Sequence, residues 1–162
     1  MIDTRYCVTA RISPKYLLDK HQDFLSKADF QWLSIWEEID GIVYYGDFPQ
    51  IIQQLSACVA LFLRNSYDAR LLPVDVLRSC FFSNEYTSQH GFVIATVICI
   101  PNISIHHLTH SLFYDKFTSY LLMRLSQNKP TILHFNDMLS QQIILEKFPF
   151  LETFGFVRGT HE

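Results

Sequence analysis

Three histidines, His106, His107 and His110, stand just ahead of a helical pattern, and His106 with His110 has the i, i+4 spacing that puts two imidazoles on one helical face. Two imidazoles give only a weak grip on a metal. A zinc site generally needs a third protein ligand, and neither a His-Glu-x-x-His arrangement nor a nearby cysteine supplies one. The cluster therefore reads as cap, loop or core histidines, and no metal is expected. Cys7, Cys58, Cys80 and Cys99 are widely spaced, each in an apolar stretch, and form no Cys-x-x-Cys pair. They read as buried free thiols, which suits a reducing cytosol and excludes a zinc ribbon or a thioredoxin-like motif. Trp32, Trp36, Tyr44 and Tyr45 lie close in sequence to Glu37, Glu38 and Asp40. An acidic, aromatic-rimmed pocket of this kind would hold a cationic or amine substrate by charge and cation–π attraction. The plainer reading is core tryptophans beside a solvated acidic helix end. No Ser/His/Asp or Cys/His pairing stands out along the sequence.

A chain of 162 residues fits one domain, long enough to bury most of its surface around a single core. Hydrophobic residues make up 49% and aromatics 15%, enough burial to offset the conformational entropy of ordering, so the chain is not of the disordered class. Net charge is −3 with His neutral, and Lys and Arg are scattered singly. Without a basic stripe to neutralise phosphates, nucleic acid is not an expected partner. No secretory signal is visible at Met1–Arg5. The apolar run from Ala57 to Leu63 is far shorter than the roughly 20 residues a bilayer span requires, so no membrane association is expected.

Only five glycines occur, Gly41, Gly46, Gly91, Gly155 and Gly159. Loops that cradle phosphate with backbone N–H groups usually need several closely spaced glycines. Neither a P-loop nor a Rossmann fingerprint can be written from these positions.

The elements that must position these residues follow from periodicity. Alternation over Thr4–Ile12 predicts a strand, and Ser13-Pro14 opens a helix carrying Leu17, Leu18, His21, Phe24 and Leu25. A second helix starts near Asp29 and is ended by Asp40-Gly41, and Ile42–Tyr45 is a short strand. Residues 48–63 suit either one long helix or a helix followed by a strand. The favoured reading is a short helix over 49–54 and then a strand through the apolar run from Ala57 to Leu63. Pro73 opens a helix, and Phe92–Ile100 is a buried strand closed by Pro101-Asn102. Phe113, Phe117, Tyr120, Leu121 and Leu125 mark a helix ending near Asn128. A strand over Thr131–Phe135, a helix over Leu139–Phe148 and a strand over Phe154–Arg158 complete the chain. The class is α/β, a single mixed domain over 1–162.

From Phe92 onward the order is strand, long helix, strand, helix and an aromatic-flanked Gly155-Phe156. With Ile98-Cys99-Ile100-Pro101 at the end of the first strand and Phe150-Leu151-Glu152-Thr153-Phe154-Gly155-Phe156 as a closing phrase, it resembles the GNAT acyltransferase superfamily. The resemblance implies a GNAT-like central sheet flanked by helices and acyl transfer from acetyl-CoA or another acyl-CoA to an amine. Cys99 and Ile100 would then hydrogen-bond the pantetheine. His110 and Lys116 would face the pyrophosphate at the start of the long helix, with Asn136 against the pantetheine arm. Trp36, Tyr44 and Tyr45 would border the acceptor, with Glu85 and His134 as the candidate bases. His134 otherwise reads as a packed strand residue, and Asn136-Asp137 as a helix cap. Two departures from the family stand out. The segment Leu112–Ser119 has no glycine, and Leu151 occupies the place of a proton-donating tyrosine. The alternative is a non-enzymatic binding or immunity-type protein that engages a protein partner through its acidic aromatic surface.

Overall fold

The computed structural model describes residues 14–82, 95–136 and 139–159. Helices α1 (Pro14–His21) and α2 (Lys27–Leu33) precede strand β1 (Gly41–Gly46), with short 3-10 turns between. Then come α3 (Ile51–Arg64), β2 (Ala69–Leu71), α4 (Val74–Phe81), β3 (Val97–Ile103), α5 (Ile105–Thr109), α6 (Ser111–Ser126), β4 (Thr131–Phe135), α7 (Gln141–Lys147) and β5 (Gly155–Gly159). The expected strand over Thr4–Ile12 lies outside the described residues.

The five described strands form one sheet in the order β2-β3-β4-β1-β5, every neighbouring pair parallel. Parallel sheets are covered on both faces, so their strands read as nearly continuous apolar runs. Within each run, alternate side chains still part to opposite layers. Ile42, Tyr44, Cys99 and Ile132 pack with Leu18, Leu55, Val59 and Phe62 on the face covered by α1 and α3. Val43, Ile100, Leu133 and Phe135 pack with Leu77, Phe113, Phe117, Ile144 and Phe148 under α4, α6 and α7. The result is a mixed α/β domain with a central sheet flanked by helices.

Residues 51–64 form one uninterrupted helix, not the helix-plus-strand expected. Ala57, Cys58, Val59 and Ala60 are all fully buried because α3 is covered by α1 on one side and the sheet on the other. A helix buried on most of its circumference loses its polar stripe and imitates a strand-length apolar run. The strand β2 was not anticipated, since three residues carry too short a pattern. The 3-10 turn Trp36–Glu38 interrupts what was read as one helix to Ile39. Pro101 and Asn102 do not close β3 but lie within it. Pairing with β4 shifts register between Ile100 and Ile103, and Asn102 takes φ 64°, a bulge that accommodates a residue with no N–H to give.

Two buried polar groups fasten the layers to the sheet. Asp29 in α2 is 0% exposed and accepts from the Tyr44 hydroxyl of β1, from Gln54 Nε2 of α3 at 3.0 and 3.1 Å, and from Ser26 N at 2.6 Å. Arg124 in α6 is also 0% exposed. Its guanidinium donates to Thr131 Oγ1 at 2.7 Å and to the carbonyls of Ala95, Thr96 and Pro130 at 2.9 to 3.0 Å, which anchors α6 to the amino ends of β3 and β4.

Candidate functional site

After β1 the chain leaves through α3 to the far edge at β2, returns through β3 to β4, and then crosses past β1 to β5. The connection from β1 runs on one face and the connection from β4 on the other. Between their carboxyl ends lies the crevice where open α/β sheets characteristically take their ligands.

At this end of the sheet stand Tyr44, Tyr45 and Gly46 at the end of β1, Phe48 in the following loop, His134 on β4 with Asn136 just after it, and Asn102 in the β3 bulge, Tyr44 and His134 being buried. Gly46 has φ 88°, a value only glycine adopts without strain, and its Cα packs close to the backbone of Gly159. The loop then brings the Phe48 ring edge-on to Tyr44, with centroids 5.4 Å apart, and to His134, 6.1 Å apart. His134 is buried, and its Nδ1 accepts the Asn102 N–H at 2.9 Å. The Tyr45 hydroxyl donates to Gln141 Oε1 at 3.2 Å. Gln50, at the head of α3, makes no side-chain cap, so the first amides of that helix have no capping side chain.

A strand, a loop starting at glycine and a helix at this place form the unit that carries Gly-x-x-x-x-Gly-Lys-Ser/Thr in P-loop proteins. Counted from Gly46, the second glycine is Ile51, the lysine is Ile52 and the hydroxyl residue is Gln53. The architecture of a phosphate corner is present without its chemistry. Neither a cation for β- and γ-phosphates nor a hydroxyl for magnesium stands at its usual position.

The residues singled out from sequence are dispersed. Tyr44 and Tyr45 point to opposite faces of the sheet, Tyr44 into the layer of α3 and Tyr45 toward Phe156 and α7. Trp36 lies at the other end, where it packs edge-on to Phe62 and Tyr67 and lines a cavity of about 190 Å³ with Asp40, Thr96 and Lys129 near the amino ends of the strands. Cys99 and Ile100 are fully buried in β3. His110 caps α6 by accepting the Phe113 N–H at 3.2 Å, and Lys116 is exposed on that helix. Asn136 donates its N–H to Ile103 O at 2.9 Å, which prolongs the β3–β4 pairing. Glu85 lies outside the described residues. Among the described residues no group of three or more His, Cys, Asp or Glu could hold a metal ion. Sequence reasoning missed Phe48, Asn102 and Gln141. Gly46 was the available signal, as a glycine closing a strand immediately before a helix.

Burial governs the ionisable groups under β1. It pushes the Tyr44 phenol well above its ordinary value, with Cys58 and Asp29 adding to the effect. It drives the Cys58 thiol up in the same way and the Cys99 thiol to about 12. Both thiols are inert as nucleophiles at neutral pH.

No protein-family model matches the chain. Over 82 residues it is 30% identical to glutamine synthetase of Bacteroides fragilis (strain YCH46), a stretch covering 48% of this chain and 11% of that protein. Solved structures give the broader likeness. AMPPCP-bound DnaA from Aquifex aeolicus superposes with TM-score 0.58 at 11% identity over 83% of this chain and 47% of that one. Replication initiator DnaA bound to AMPPCP and single-stranded DNA gives TM-score 0.59 at 11% identity, over 84% and 45%. DnaI gives 0.60 at 14% identity, over 98% of this chain and 92% of that one. The fold is AAA+-like. At these identities the likeness is one of fold, and the chain spans less than half the length of the DnaA chains.

The AAA+-like topology overturns the GNAT reading. Strand–helix alternation is common to both folds, and the order of elements along the chain does not distinguish them. The acyltransferase activity, the acyl-CoA cofactor and the acidic-surface binding alternative lose their support with it. What the Phe150–Phe156 phrase encodes is packing. Leu151 is fully buried, and Gly155 has no side chain because Trp32 lies against it. Among the described residues no helix is long and apolar enough to cross a membrane.

Proposed function

We propose that the chain is an AAA+-like domain that does not hydrolyse nucleotide. One observation carries this reading. The β1–α3 corner keeps Gly46 but has Ile52 and Gln53 at the lysine and hydroxyl positions, and Phe48 packs between Tyr44 and His134 beside it. Phosphoryl transfer depends almost wholly on positioned cations and metal, so a corner without them supports no turnover.

The uncapped start of α3 favours a second reading, in which the domain still holds a nucleotide phosphate on backbone amides without cleaving it. Its similarity to AMPPCP-bound structures supports testing this directly. Purified protein is incubated with ATP and magnesium, and released phosphate is measured. No release above the protein-free control is expected, and magnesium-dependent turnover would overturn both readings. Thermal shift with excess AMPPCP separates them, because a ligand at about 100 times its Kd stabilises the native state by about 2.7 kcal/mol. No shift supports a nucleotide-free domain, and a saturable shift supports retained binding. The same preparation titrated with single-stranded DNA tests a nucleic-acid partner. At net charge −3, no salt-sensitive binding is expected.

A further inference from the structure

At the other end of the sheet from the crevice, the cavity of about 190 Å³ beside Trp36 lies where three neighbouring strands begin. Asp40 leads into β1, Pro130 into β4 and Thr96 into β3, so the lining follows the order of the sheet. Its charges are divided. Glu37 and Asp40 come from the turn before β1, and Lys129 from the turn between α6 and β4. The buried Arg124 guanidinium lies against the second of these sides, since it donates to the Thr96 and Pro130 carbonyls at 3.0 and 2.9 Å. The charged side chains are also held from outside the cavity. Trp36 packs edge-on to Phe62 at 5.1 Å and to Tyr67 at 4.6 Å. The Tyr67 hydroxyl donates to Glu37 Oε1 at 2.9 Å, and the Thr153 hydroxyl to Asp40 Oδ2 at 2.5 Å. None of Phe62, Tyr67 and Thr153 lines the cavity itself. Each carboxylate is thus fixed through one oxygen and keeps the other as an acceptor, the condition of a preformed site.

We infer that this cavity binds a free α-amino acid with an apolar side chain, its ammonium held by Asp40 and Glu37 and its carboxylate by Lys129. Charge complementarity selects the zwitterion. A simple cation would meet Lys129 with Arg124 behind the wall, and a simple anion would meet two carboxylates, so each is opposed by one half of the lining. Trp36, Ile39 and Leu125 supply apolar surface for the side chain. At about 190 Å³ the cavity is smaller than the about 300–1,000 Å³ of pockets for drug-sized ligands, which restricts the occupant to a molecule of amino-acid size. The site is separate from the β1–α3 corner and does not depend on whether that corner holds a nucleotide.

Calorimetric titration of the intact protein with L-phenylalanine tests this, beside phenethylamine, which lacks the carboxylate, and 3-phenylpropionate, which lacks the ammonium. Saturable binding of the amino acid is expected, with each single-charge analogue about tenfold or more weaker, the effect of losing a hydrogen bond between charged groups. Variants then assign the two charges. Asp40→Asn keeps an acceptor for Thr153, and in it phenylalanine should lose its advantage over 3-phenylpropionate while keeping its advantage over phenethylamine. Lys129→Gln should give the reverse pattern, which a general loss of stability would not produce. Absence of saturable heat with phenylalanine, an analogue that binds the unaltered protein as tightly as the amino acid, or variants that leave both advantages intact would each overturn the inference.

Discussion

Trp32 and Gly155 are in direct contact across the junction of α2 and β5: a Cβ added to Gly155 would fall 2.6 Å from Trp32 Cδ2 and 2.7 Å from Cε2. No real Cβ tolerates such an approach, so the indole of one layer and the missing side chain of the other specify each other. Gly155→Ala is expected to destabilise the domain by about 1–3 kcal/mol, the range for overpacking a filled site. Urea denaturation measures it. Trp32→Ala introduced with it should cost less than the sum of the two single changes, because the clash is removed with the ring.

The buried carboxylate of Asp29 joins α2, β1 and α3 through Ser26, Tyr44 and Gln54. Asp29→Ala leaves the Tyr44 hydroxyl and the Gln54 amide buried without that acceptor. A loss of about 2–4 kcal/mol is expected, given the cost of unsatisfied buried groups. Tyr44→Phe removes one partner and no acceptor, so it should cost about 1 kcal/mol. Equal losses for the two variants in chemical denaturation would show that Asp29 is not the hub.

Arg124 satisfies three backbone carbonyls and Thr131 with one guanidinium. Arg124→Met keeps much of the volume and removes every donor, for an expected loss of about 3 kcal/mol or more. Arg124→Lys should recover only part of it, since an ammonium cannot reach a fork of acceptors spread over two strands. Thermal denaturation of the two variants side by side would decide this.

Stability should fall on the alkaline side. Tyr44, Cys58 and Cys99 all have folded-state values raised by burial, Cys99 to about 12. Above the ordinary thiol value of 9.0 the unfolded chain releases protons that the folded chain retains. The unfolded state is then favoured, with a slope of about 1.4 kcal/mol per pH unit for each such group. The stabilisation is complete below pH 9 and declines as pH rises toward the folded values. Replacing Cys58 and Cys99 by Ala should flatten the denaturation midpoint between pH 9 and 10, leaving Tyr44 to act above pH 10. An unchanged slope would contradict the burial of the thiols.

Much of the secondary structure was legible, and the reason is local. Strands β1 and β4 announced themselves by short apolar runs with turn residues at their ends, and Pro73 marked the start of α4. Where two layers cover one helix, as at Ala57–Ala60, the polar stripe disappears and periodicity gives the wrong element. Where a bulge absorbs a proline, as at Pro101, a breaker does not break the strand. The candidate crevice was legible only as Gly46, because Phe48, His134 and Asn102 meet through strands 30 or more residues apart in sequence.

The residues alone determined the α/β class, the absence of a complete P-loop motif and the character of the cysteines Cys58 and Cys99 as buried thiols. Each depends on composition or on neighbours a few positions away. Tertiary structure decided the order β2-β3-β4-β1-β5, and with it an AAA+-like fold in place of the acyltransferase fold that the same succession of elements suggested. Strand order and side-chain convergence are set by which buried faces fit together across the sheet, and two folds with the same local pattern can satisfy that packing differently.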